Sequence, residues 1–131
     1  MAAFSNYLED QITGWIAGTS MTAPTATFVQ LYNGDPTDAG SGGTALFTRY
    51  QVASGAGSWT RGTGGNGTIT NASAVTITSS ATATASATHV AVFTSATGGD
   101  LLFYGALTTA KTIASGDEVK FNASALTLTV A

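Results

Sequence analysis

Apolar and hydroxyl-bearing residues alternate along the second half of the chain. Residues 75–78 read Val-Thr-Ile-Thr, and the same period of two recurs at 118–121 and 126–130. Because successive side chains of a strand point to opposite faces, this period places aliphatic side chains on one face and polar side chains on the other. The pattern predicts a mainly β protein, an antiparallel β-sandwich of jelly-roll type in which each strand has one buried face.

Turn-forming residues separate the predicted strands. The segment 33–43 is rich in Gly, Asp, Asn and Ser, which predicts a long exposed loop. Gly98 and Gly99 supply the positive φ angles of a tight turn and predict a hairpin between strands at 90–94 and 101–107. Further strands are predicted at 25–32, 46–52, 67–71, 74–79, 117–121 and 125–130.

The strand predicted at 101–107 is apolar on both faces. Strict alternation would place Leu101 and Phe103 on one side and Leu102 and Tyr104 on the other. A strand of this kind is usually covered on both sides. The second cover is either the N-terminal helix or another subunit, and Leu102 and Tyr104 are therefore candidate interface residues.

Residues 4–17 predict one short N-terminal amphipathic helix. Ser5 or Asn6 can cap its start, and Gly18 is a plausible stop. An isolated helix of this length is marginal in water, so its apolar stripe is expected to dock on its own sandwich or on a neighbour. The residues of this predicted docking stripe are Phe4, Leu8, Ile12 and Trp15.

The length of 131 residues predicts a single domain over 1–131, with a helical arm at 1–20 and the β-sandwich at 24–131. The chain has no cysteine, so disulfides and cysteine-ligated metals are excluded. No run of about 18 apolar residues predicts a membrane span. The start of the chain lacks the charged and apolar regions of a signal peptide, so no such leader is expected.

Charged residues make up only 8% of the chain, and the formal net charge is −3. A typical protein is about 25% charged, and soluble monomers use that charge to stay apart. A neutral, Thr-rich surface is expected to be covered by partner subunits or to form an outer coat, with a low-charge secreted domain as the alternative. The chain lacks a basic footprint, so nucleic-acid binding is not expected.

The sequence offers little catalytic chemistry. His89 is the only histidine, and no carboxylate is adjacent to it. Asp35 and Asp38 fit ordinary turn composition better than a calcium loop. We therefore expect no catalytic, cofactor-binding or metal-binding residues, and a protein that is not an enzyme. Trp59 lies between Gly-rich stretches, where it either anchors a loop or contributes to an aromatic sugar platform.

Several short sequence motifs together resemble those of a family of small bacteriophage virion proteins, described as head decoration, cement or tail-fibre-like. One is Phe-Ser-Asn-Tyr-Leu-Glu-Asp at 4–10, and another is Val-Gln-Leu-Tyr at 29–32 followed by Asp-Pro-Thr-Asp-Ala-Gly at 35–40. The other two lie at 98–108, which contains Gly-Gly-Asp-Leu-Leu-Phe-Tyr-Gly, and at 116–121. The resemblance implies a structural component of the virion, made in the cytoplasm of the bacterial host.

The predicted function is that of a cement or decoration protein on the capsid surface. It would form a homotrimer, because icosahedral shells offer threefold sites, and it would bind the joints between major capsid proteins. Apolar burial at many identical contacts would stabilise the shell. The alternatives are a tail-fibre or tail-tip component used in host attachment, and a carbohydrate-binding adhesin module that uses Trp59.

Overall fold

The computed structural model describes residues 2–52, 58–62, 67–80 and 84–129. Within these ranges the chain forms ten strands and one helix, α1 at Asn6–Ile16. The strands are β1 Ala2–Phe4, β2 Thr27–Asn33, β3 Thr44–Val52, β4 Trp59–Arg61, β5 Thr68–Asn71, β6 Val75–Thr78, β7 Ala85–Phe93, β8 Leu101–Ile113, β9 Glu118–Phe121 and β10 Thr127–Thr129.

The strands form three antiparallel sheets. The largest has the order β1-β8-β7-β2-β3, and the smaller ones are β10-β5-β4 and β6-β9. The predicted class, mainly antiparallel β with one short N-terminal helix, is confirmed and is consistent with a β-sandwich. The jelly-roll connectivity stays a prediction.

The main hydrophobic core draws aliphatic side chains from all three sheets. Val29 and Leu31 of β2 pack in one cluster with Val75 and Ile77 of β6, and Leu128 of β10 belongs to the same cluster. On β6 the two aliphatic residues are buried, whereas the threonines between and after them are not. The predicted period of two is therefore confirmed on this strand, because the core covers only one of its faces.

A second, smaller cluster contains Tyr32, Ala91, Phe93 and Leu101, with Tyr104 packed against it. The prediction that the start of β8 is covered on both sides is confirmed, since β8 contributes to this cluster and to the main core.

The strict alternation predicted for this strand is wrong. Leu102 and Phe103 both pack in the main core, although they are neighbours in sequence. The register of β7 and β8 shifts between Val92 and Phe93, opposite this part of β8. An irregularity of this kind redirects side chains, so two successive residues can face the same cluster.

The helix is shorter than predicted at its N-terminal end. Phe4 belongs to β1, where it pairs with Phe103, and not to the helical stripe. Ser5 has extended backbone angles and is the N-cap, so the helix begins only after it. The predicted stop is confirmed, because Gly18 has φ 98° and donates its N–H to the carbonyl of Trp15.

Other boundaries also differ from the prediction. β7 begins at Ala85 rather than at residue 90, and β8 continues to Ile113 rather than ending at 107. Between the pairs Ala87–Lys111 and His89–Ala106 the register shifts, so β8 bulges away from its partner. The short strands β1 and β4 were not predicted, because three residues carry too little periodicity.

In the part of the chain that the structure describes, no helix is long and apolar enough to cross a membrane.

Candidate functional site

The start of α1 is held firmly on the sheet. The side chain of Ser5 is fully buried, donates its hydroxyl to the carbonyl of Leu101 and accepts the N–H of Leu8 at 3.1 Å. The N–H of Asn6 bonds the carbonyl of Asp38 at 3.0 Å. These bonds satisfy N–H groups that a helix start leaves unpaired, and they fix the direction in which the helix leaves β1.

No residue of α1 is fully buried, and the C-terminal end of the helix carries exposed apolar side chains. Trp15 is 61% exposed, Ile16 is 74% exposed, and Met21 beyond the helix is 45% exposed. Trp15 and Met21 line one shallow hollow, so they lie together on the surface. We call these three residues the apolar patch. Large apolar side chains grouped in this way commonly mark an interaction surface.

A groove of about 620 Å³ lies between α1 and one end of the sandwich. Its walls are mostly apolar, and Met21 joins it to the apolar patch. Its apolar lining includes Tyr7 and Leu8 from α1, Trp59 from β4, Ile69 from β5, Phe103 from β8 and Leu128 from β10. The groove thus depends on the packing of the helix against strands from two sheets.

Trp59 has a fixed orientation in this groove. Its indole N–H donates to the hydroxyl of Thr27 at 2.9 Å, and its ring meets Phe103 edge-on with centroids 5.7 Å apart. A buried or half-buried tryptophan normally satisfies its N–H in this way. The ring is therefore set in place before any ligand arrives.

Polar side chains border the apolar walls. Gln11 lies on the helix side, and Thr94, Ser95 and Asp100 lie on the side of the β7–β8 hairpin. Asp100 is exposed, and its backbone N–H is held by the hydroxyl of Thr94 at 2.9 Å. Among the described lining residues Asp100 is the single carboxylate, and none is Lys or Arg.

A partly buried polar cluster fixes the hairpin that carries this border. Arg49 donates to the carbonyls of Ser95 and Gly98, both at 2.7 Å, and its guanidinium carbon lies 3.7 Å from the centre of the Phe93 ring. Gln30 accepts from the Nε of Arg49 at 3.1 Å. Burial lowers the pKa of Arg49 from its ordinary value, with a smaller opposing effect of Tyr32. The arginine is thus used internally.

The six predicted interface residues occupy different environments. Phe4 packs against the main core and Leu102 is buried in it. Leu8 and Ile12 are half-buried on the helix, whereas Trp15 is largely exposed. Whether any of them contacts another subunit stays a prediction.

The sixth interface candidate, Tyr104, packs against the second cluster. The pKa of its phenol is raised, first by burial and then by the carboxylates of Asp35, Asp38 and Glu9.

The other polar candidates have ordinary structural roles. The Nδ1 of His89 lies 2.9 Å from the hydroxyl of Thr88. Asp35 accepts the N–H of Thr37 at 2.8 Å, which is the local bond expected of a turn aspartate. Over the described ranges, no three His, Cys, Asp or Glu side chains gather where they could hold a metal ion.

Sequence reasoning did not single out most of the groove. Trp59 was identified as a possible platform, but Tyr7, Gln11 and Asp100 were not. These three residues come from a helix and a hairpin that are distant in sequence, so no local pattern connects them. The sequence feature that could have indicated this site is Tyr7, an aromatic residue beside polar residues at the start of the helix.

Comparison with known protein families supports the resemblance found in the sequence. A family model described as "Podophage GP4 fiber I protein gp80" matches residues 3–129, which is nearly the whole chain. No curated protein matches the sequence. The chain therefore belongs to the podophage GP4 fiber I protein gp80 family, a family of bacteriophage virion structural proteins.

Proposed function

We propose that this protein is a fibre component of a podophage virion and that it acts by binding, not by catalysis. The observation that carries the proposal is the match of the fiber I family over residues 3–129. A match of this extent spans the sandwich, the helix and the groove together. The fibre role was the alternative in the sequence-based reasoning, and the family description favours it over the capsid cement role.

The physical character of the surface supports an assembled state. Only 8% of the residues are charged, and one of the four Lys and Arg residues, Arg49, is used in internal hydrogen bonds. The apolar patch adds exposed hydrophobic area of the kind that partners cover. We propose that copies of the chain associate through this patch, and a homotrimer remains our preferred state.

Copy number per virion separates the fibre role from the cement role. Purified virions would be analysed by quantitative mass spectrometry with the major capsid protein as the internal reference, and by immunogold labelling of the chain. A fibre component is expected at a few dozen copies or fewer, with gold at the tail. Hundreds of copies, with gold over the head, would instead support the capsid-surface location and contacts with the major capsid protein.

The apolar patch predicts the effect of one substitution on self-association. Trp15→Ala is expected to weaken association of the purified chain about thirtyfold, because a buried interface tryptophan typically contributes about 2 kcal/mol. The melting temperature should change by less than about 3 °C, since Trp15 is largely exposed in the single chain. Sedimentation velocity over a concentration series measures the first effect, and calorimetry the second.

Thr13→Ala is the control for that experiment, because Thr13 is exposed on the same helix and is polar. It should leave association unchanged. A fall in melting temperature of 10 °C or more for Trp15→Ala would place Trp15 in the protein's own core. Unchanged association of Trp15→Ala would show that the apolar patch does not form the interface between copies.

A further inference from the structure

The groove beside α1 has features of a small-ligand site that assembly of a fibre does not require. Its volume of about 620 Å³ lies within the range of known ligand pockets. Its walls are apolar and partly aromatic, with a few polar side chains converging at the border. This combination is the usual composition of a site that orients a specific ligand.

The aromatic rings indicate the shape of that ligand. Tyr7 and Trp59 both line the groove, and Trp59 is held in one orientation by Thr27 and Phe103. A flat, apolar ring face suits the C–H face of a pyranose sugar. Because the ring is already fixed, little conformational freedom is lost when a ligand packs on it.

The polar border indicates the ligand's charge and functional groups. Gln11 offers both a donor and an acceptor, and Asp100 offers acceptors at an exposed position. These groups match hydroxyls, which both donate and accept. The carboxylate of Asp100 would repel an anionic ligand, and the described lining contains no Lys or Arg that could offset this repulsion.

We infer that this groove binds an uncharged oligosaccharide, with sugar rings against Tyr7 and Trp59 and sugar hydroxyls on Gln11 and Asp100. The use of such binding in host attachment rests on the proposed fibre role. Binding itself is a property of the isolated chain and can be measured without the virion.

The test begins with the purified full chain on a printed array of uncharged and acidic bacterial surface oligosaccharides. Each bound glycan is then titrated against a Trp15→Phe variant, which leaves Trp59 as the one remaining tryptophan of the chain's two. We expect binding to uncharged glycans and a saturable change in Trp59 emission. An array without any bound glycan, or one on which acidic glycans bind best, would overturn the inference.

Two substitutions at the border locate the site. Asp100→Asn and Gln11→Ala are each expected to raise Kd at least tenfold, while the melting temperature stays unchanged because neither side chain packs in the core. The matched controls are Asp10→Asn and Gln51→Ala, which change exposed residues outside the groove and should leave Kd unchanged. Equal Kd values for all four variants would show that the glycan binds elsewhere and would refute the site.

The fibre role and the sugar site can fail separately. Fibre location on the virion without glycan binding would leave the proposed function intact and refute the groove's assignment. Glycan binding by a protein found at capsid copy number would refute the fibre role and leave the groove's assignment intact. If the border variants weaken self-association instead of glycan binding, the groove belongs to an interface between copies, and the sugar site is wrong.

Discussion

Asn71→Ala is expected to lower the free energy of unfolding by about 3 kcal/mol, because it removes three hydrogen bonds from a fully buried side chain. Asn71 lies at the end of β5 and is 0% exposed. Its Nδ2 donates to the carbonyls of Ser73 and Asn122, both at 2.9 Å, and its Oδ1 accepts the N–H of Leu126 at 2.9 Å. A buried polar group left unpaired costs about 1–3 kcal/mol.

The asparagine also holds a turn in an uncommon backbone conformation. Its own carbonyl accepts the N–H of Ser124 at 2.8 Å, and Ser124 has φ 67°. A non-glycine residue at such an angle persists only where its surroundings hold it there. Without the Asn71 side chain, the N–H of Leu126 and the carbonyls of Ser73 and Asn122 lose a partner, whereas the backbone bond from Ser124 to the carbonyl of Asn71 remains.

The measurement is chemical denaturation of the purified chain, supported by calorimetry. A loss of about 3 kcal/mol should lower the melting temperature by about 10 °C for a domain of this size. Asn122→Ala is the matched control: the Asn122 side chain is exposed, and only its carbonyl takes part in the network. It is expected to stay within about 0.5 kcal/mol of the parent. Equal losses for the two variants would contradict the assigned role of Asn71.

Gln30→Leu is expected to lower the free energy of unfolding by about 2–3 kcal/mol. Gln30 is 4% exposed on β2, an interior strand of the large sheet, where its Nε2 donates to the carbonyls of Leu46 and Phe47 at 2.6 and 3.0 Å. The register of β2 and β3 shifts at this point, and Phe47 has φ 64°. Leucine has a similar size but would leave both carbonyls without the Gln30 donor and the Nε of Arg49 without its acceptor.

This substitution should also loosen the border of the groove. Gln30 holds Arg49, and Arg49 holds the carbonyls of Ser95 and Gly98. We expect faster amide hydrogen exchange over 94–100 in Gln30→Leu, because the hairpin loses part of its support. Gln51→Leu is the control, since Gln51 is exposed on β3. It should alter neither stability nor exchange. Unchanged exchange in Gln30→Leu would show that the polar cluster does not support the hairpin at the border of the groove.

Much of the fold could be predicted because the relevant signals are local. The alternation at 75–78 and the glycine pair at Gly98 and Gly99 each correspond to observed features. Gly99 illustrates the reason: it has φ 70°, and a Cβ there would lie 2.7 Å from the side chain of Ser95. A turn of this kind constrains its own residues, and their identity is therefore visible in the sequence.

The errors fall where pairing with another strand overrides a local pattern. Phe4 fits the helical stripe by its spacing, but it pairs with Phe103 in the sheet because Ser5 continues the strand by bonding the carbonyl of Leu102. Leu102 and Phe103 break alternation because the neighbouring strand shifts register. For Phe4 the partner strand lies nearly a hundred residues away, whereas for Leu102 and Phe103 it is the other strand of the same hairpin, and in each case the pairing decides the outcome.

The sequence by itself determined the class of this protein: the period of two, the helix and the scarcity of charge and catalytic groups all follow from local residue identity. Only the tertiary structure decided the groove and the polar clusters around Asn71 and Gln30. Trp59 lines the groove in one orientation because Thr27 and Phe103 hold it, and the buried Asn71 is paired because its Oδ1 accepts the N–H of Leu126, 55 residues further on. Side-chain periodicity is a property of one segment, whereas a binding surface depends on where several segments meet.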